Sequence, residues 1–125
     1  MAWGSEVVAS PQLTSITTYQ YFTYAGSNVI SLNPGETIDL WVKVDFPTTP
    51  TDHAIVGIFP SYDNGATYTD TPIYEQLIDK ATDPNKVPLP PISNLKYFKV
   101  GVKRSGSTDT LASADSGFVK DGVSI

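Results

Sequence analysis

The chain has 125 residues, with 13 acidic against 8 basic side chains, a single histidine and no cysteine. That length fits one domain closing one core, and the missing cysteines exclude a disulfide framework and a thiolate metal site. The acidic balance leaves no long cationic face to displace counterions from phosphates, which excludes nucleic acid as the expected partner.

The N-terminus lacks the basic start and apolar stretch of a secretory signal. No apolar run approaches the ~20 residues needed to span a bilayer, so a soluble protein is expected, with a reducing compartment the best fit to a cysteine-free chain. Hydrophobic residues make up 40% and aromatics 11%, with Val, Ile, Thr and Tyr prominent. Such residues suit pleated, half-buried surfaces rather than disorder.

Residues 1–15 are mostly small and polar, with one Trp (Trp3), one Pro and the apolar Val7, Val8 and Leu13. They read as an extended N-terminal arm, which could reach about 45 Å fully extended, ahead of one domain over residues 16–125. A free terminal tail is the plainer alternative. Residues 16–24, rich in Thr, Tyr and Phe, predict a strand, and residues 29–32 a short companion.

Asn33-Pro34-Gly35 is turn chemistry, because Pro presets φ and Gly permits a positive one. The clearest element follows at residues 36–46. Ile38, Leu40, Val42, Val44 and Phe46 alternate with Thr37, Asp39, Trp41, Lys43 and Asp45. Strict period-2 alternation predicts a half-buried, central strand with Trp41 on its outward register. Residues 54–59 form a nearly continuous apolar run that suits an interior strand, and Gly57 within it marks a bulge or a close backbone approach. Asp63-Asn64-Gly65 reads as a turn, and residues 73–78 as a weaker strand.

Residues 79–94 hold four of the ten prolines and little periodicity. They read as a connection crossing the surface or one end of the domain. Residues 97–104 alternate again, with Phe98, Val100 and Val102 inward, and a final strand is expected over 114–120. About seven strands without a convincing helix predict an all-β fold, an immunoglobulin-like antiparallel sandwich with a jelly roll as the alternative.

Little in the sequence carries catalysis. His53 lies in a turn without a nucleophile elbow or other activating context, and reads as a partly exposed turn residue. One histidine and no cysteine leave only carboxylates for a metal, so no zinc site is expected. Asp63, Asn64 and Asp70 could offer oxygens to calcium, but the loop lacks the full ligand spacing; turn-forming Asp and Asn is the better reading. A glycosidase pair drawn from Glu36, Asp39, Asp45 and Glu75 has no separation that sequence can fix. No cofactor, metal or small-molecule ligand is expected, and the chain reads as a non-enzyme.

Exposed aromatics remain. Tyr19, Tyr21, Trp41, Tyr62, Tyr68 and Tyr74 could present rings outside the core, where Tyr and Trp favour protein interfaces and sugar surfaces. Ordinary packing over cross-strand neighbours is the competing reading.

Two stretches carry a resemblance. One is Ser31-Leu32-Asn33-Pro34-Gly35-Glu36-Thr37 continuing through Phe46 to Thr51-Asp52. The other is Val100-Gly101-Val102-Lys103-Arg104-Ser105-Gly106-Ser107-Thr108-Asp109, with the ending Lys120-Asp121-Gly122-Val123. In texture and in these phrases the chain resembles small virion structural proteins of tailed bacteriophages, over about two thirds of its length. The resemblance implies a head decoration (cement), neck or tail accessory protein, assembled in a host bacterial cytoplasm. It also implies binding to the major capsid protein or other virion proteins as a symmetric oligomer. Trp3, Val7, Val8 and Leu13 on the arm and Trp41, Tyr62 and Tyr68 on the domain are then the candidate partner contacts. A carbohydrate- or receptor-binding sandwich using Trp41 and the loop tyrosines is the competing class.

Overall fold

The computed structural model describes residues 7–9, 18–46, 51–80, 86–106 and 113–121, with residues 7–9 and 113 as backbone alone. Nine strands run through them: β1 Val7–Ala9, β2 Gln20–Tyr21, β3 Ile30–Ser31, β4 Thr37–Asp45, β5 Ala54–Pro60, β6 Tyr74–Ile78, β7 Val87–Pro88, β8 Tyr97–Arg104 and β9 Ser113–Asp121. All pairings are antiparallel, and they form two sheets. The first has the order β1-β9-β4-β7; the second is β2-β8-β5-β6, with β3 also on β8. The fold is an all-β sandwich.

The long strands follow their alternation. On β4 the side chains of Ile38, Leu40, Val42 and Val44 are buried while their neighbours are half-buried on the other face. They meet Phe98, Val100 and Val102 of β8 and Val56 and Ile58 of β5 in one core. Each such side chain contributes about 1.5–3 kcal/mol before the entropy of ordering is subtracted.

The region expected to be a bare connection corrects the sequence reading. Val87–Pro88 pairs with β4, and Ile92 makes an isolated bridge to Ile38. Leu89 N–H donates to Leu40 (2.8 Å), while Ile38 and Ile92 exchange both backbone bonds (2.9 and 3.1 Å). The prolines obscure the strand in the sequence but are compatible with a sheet edge, where a missing N–H forfeits no ladder bond. The non-proline positions make the bonds.

The strand expected at residues 16–24 is shorter among the described residues. Gln20–Tyr21 pairs with Val102 and Gly101, and Phe22 N–H reaches Val100 O at 2.9 Å. β3 then pairs with Phe98 and Tyr97 farther along the same strand. Together β2 and β3 are one interrupted strand on β8, broken by an excursion over residues 23–29. Its tip is a two-residue turn, in which Tyr24 and Ser27 pair across Ala25 (φ 50°) and Gly26 (φ 87°). Two positive φ values define the hairpin turn whose twist matches flanking strands.

Asn33-Pro34-Gly35-Glu36 makes the turn expected of it. Gly35 has φ 87°, Glu36 N–H donates to Asn33 O (3.0 Å), and the Glu36 carboxylate accepts the Asn33 N–H (2.6 Å).

Candidate interaction surfaces

The outer face of the second sheet carries a small aromatic core of its own. Phe59 is buried, yet it points away from the main core. Gly57 and Gly101 face each other across β5 and β8, leaving a trough that the Tyr19 ring fills. A β-carbon on Gly57 would lie 3.0 Å from that ring, and one on Gly101 would lie 3.2 Å from Tyr19. Phe59 meets Tyr19 and Tyr21 edge-on, at centroid distances of 4.8 and 5.3 Å. The Tyr19 hydroxyl donates to the Glu75 carboxylate on β6, and burial, reinforced by Glu75, pushes its pKa up. Lys103 lies over Tyr19 (4.7 Å), and Lys99 lies over both Tyr21 (5.1 Å) and Tyr68 (4.3 Å). The ammonium groups cover ring faces while their stems shield the apolar layer below.

Two of the sequence-predicted contact residues lie at the rim of this face. Tyr62 is 76% exposed, and Tyr68 stands under Lys99. The loop holding them is organised by Asp63. Its carboxylate accepts from Thr67 N–H and Ser61 Oγ (2.8 Å each) and from the Thr67 hydroxyl. These bonds, the Thr67 hydroxyl's foremost, hold its pKa at about 2 instead of 3.8. Asp63 is therefore engaged as a turn residue, and no group of three or more His, Cys, Asp or Glu side chains suited to a metal occurs among the described residues.

Trp41 occupies the outer face of the first sheet, as its register predicts. Its ring lies over Gly117 on β9, where an added β-carbon would stand 2.5 Å from it. Lys86 covers the ring at 4.2 Å. Lys43 and Asp115 make an ion pair at 3.5 Å on the next rung. Trp41 and Tyr68 thus stand on opposite faces of the sandwich, and the fold does not bring them together as one ring-stacking site. Val7 and Val8 belong to β1, paired with Phe118 and Gly117 at the sheet edge. Trp3 and Leu13 lie outside the described residues.

The candidate catalytic groups are dispersed. His53 Nδ1 accepts the Lys80 N–H at 3.1 Å and lies 3.8 Å from the Asp79 carboxylate. Glu36 is buried in its turn, Asp39 and Asp45 are on the outer register of β4, and Glu75 is on the other sheet. Six residues of extended strand separate Asp39 from Asp45 by roughly 20 Å, well beyond any glycosidase pair.

Comparison with known proteins places this geometry in context. No protein-family profile and no curated protein matches the sequence. Similar folds occur in two solved assemblies. One is a chain from Bacillus endospore appendages, described as a novel family of disulfide-linked pili. It has 10% identity and a TM-score of 0.57, with 98% of this chain and 88% of that chain covered. The other comes from the acidic stable capsid structure of Helicobacter pylori bacteriophage KHP30, at 11% identity and a TM-score of 0.54, covering 95% of this chain and 89% of that one. The fold is what they share.

Sequence reasoning missed a further surface. β6 and β7 form facing edges of the two sheets, linked by Gln76 Nε2 donating to Pro88 O at 3.3 Å. Beside that link lies an open groove of about 270 Å³ lined by Ile58, Ile73, Tyr74, Leu89 and Ile92 together with prolines. Ile73 is 53% exposed. The signal was present in the apolar residues set between Pro88 and Leu95, but their spacing matches neither a strand nor a helix.

Proposed function

We propose that this chain is a non-enzymatic structural subunit of a bacteriophage virion, a head decoration protein bound to the capsid surface and working as an oligomer. The observation that carries the reading is the fold match along nearly the whole chain to a subunit in a phage capsid structure. The match to a pilus chain, a second protein assembly, supports a structural role in the same way. The proposed partners are the major capsid protein or neighbouring virion proteins.

Copy number tests the proposal directly. Quantitative mass spectrometry of purified particles should find this chain in proportion to the major capsid protein, at hundreds of copies. A few copies would move it to the neck or tail, and complete absence would overturn the virion reading.

A further inference from the structure

Among the described residues, strands from the N-terminal part of the chain line one side of the sandwich, sharing the β8 edge with β3. β1 covers the edge strand β9 of the first sheet, and β2 covers β8 of the second. Undocking this segment would expose two strand edges at once, and unpaired edges are templates for another chain. Among the described residues, few side chains hold it, although Phe22 and Tyr24 enter the main core and Tyr24 also bonds Ser116 on β9. Its contacts are short strand pairings, the Tyr19 ring in its glycine trough, and those two buried anchors.

The connection to the body of the domain has the form of a hinge. Residues 23–29 bridge only the gap between Val100 and Phe98 on β8, roughly 7 Å, although extended they would span about 23 Å. The tip of this folded-up reserve is under strain. Ala25 has φ 50°, a left-handed conformation that costs an alanine more than the glycine, asparagine or aspartate usual at that position. Tight, strained hinge loops favour exchange of the element they carry.

We propose that β1 and β2, with Tyr24 at their end, form an exchangeable element: the Ala25–Gly26 turn opens, and β1 and β2 dock on β9 and β8 of a second copy of this chain. The exchanged dimer regains every contact of the closed monomer, and each hinge sheds its left-handed alanine. Its partner surface is already built, because it is the surface the segment covers in its own chain. Exchange needs no virion and no second protein, so it stands or falls separately from the capsid location.

A disulfide trap distinguishes the two arrangements, since the natural chain has no cysteine. Gln20 and Val102 are partners across β2 and β8, at a spacing antiparallel strands share with disulfides. The Q20C/V102C variant, held reduced at high concentration under mildly destabilising conditions and then oxidised, should give a covalent dimer that reductant dissolves. Adding Ala25→Asn relaxes the closed turn and should lower the dimer fraction about fivefold. An intramolecular disulfide alone at every concentration would overturn the proposal, as would a dimer fraction indifferent to Ala25→Asn. Should the cysteines impair folding, native mass spectrometry of mixed 15N-labelled and unlabelled natural chain reads the same exchange. Mixed dimers that Ala25→Asn suppresses support it, and their absence, or their persistence in that variant, overturns it.

Discussion

A β-carbon on Gly117 would lie 2.5 Å from the Trp41 ring, so Gly117→Ala must lift the indole off the sheet. We expect a loss of about 1–3 kcal/mol in denaturant unfolding, and a much smaller loss when Trp41→Ala is already present. Equal losses in both backgrounds would mean the ring is not seated there. Tyr24 shows a different residue-scale economy. Ser116 Oγ donates to Trp41 O (3.0 Å), so its single proton is committed and the Tyr24 hydroxyl is the donor in their 2.7 Å bond. Tyr24→Phe leaves the Ser116–Trp41 bond in place and should cost only about 1 kcal/mol. Asp63 adds a pH signature. Its folded pKa of about 2 lies below 3.8, so its ordering of the loop is complete above 3.8 and is lost as pH falls through about 2. Amide exchange at Gly65 and Thr67 should accelerate over that window, and in Asp63→Asn the window should vanish.

At the scale of elements, the proline-rich edge makes the sharpest claim. Ile92 N–H bonds Ile38 O, whereas Pro90 has no N–H to give. Ile92→Pro should destabilise by about 3 kcal/mol, while Pro90→Ala should stay within about 0.5 kcal/mol; similar midpoints for the two would show that this edge is not a working strand. The same edge explains where sequence reading stopped. β4 and β8 were readable because their alternating side chains, four on β4 and three on β8, meet a single core, and an outward Trp41 followed from register alone. β7 was not, because only Val87 and Leu89 turn to the core between exposed prolines, too short a run to show a period. Phe59 read as interior and is buried, but against the outer face, because its cover comes from Tyr19 on a segment distant in sequence. The facing Gly57 and Gly101 hinted at a close approach without naming the ring that makes it.

At the scale of the molecule, the two sides of the sandwich are closed differently. Among the described residues, one is lined by β1, β2 and β3, the other by β6 and β7 with the Gln76–Pro88 bond beside an apolar groove. Deleting residues 1–15 removes β1 and uncovers β9. The truncated chain should still unfold cooperatively at a lower midpoint, and on the decoration proposal it should no longer bind particles. Full particle occupancy by the truncated chain would show that the arm does not mediate attachment.

The aromatic residues are divided between the sheets in a way that makes the protein its own optical instrument. All seven tyrosines lie in segments of the second sheet or its loops, whereas Trp41 stands on the first. With Trp3→Phe, indole emission would report on one layer and phenol absorbance on the other. The two layers share a single core, so both signals should change at one midpoint. If they separate, the sheets are distinct cooperative units, and the order of the transitions would show which one comes apart first.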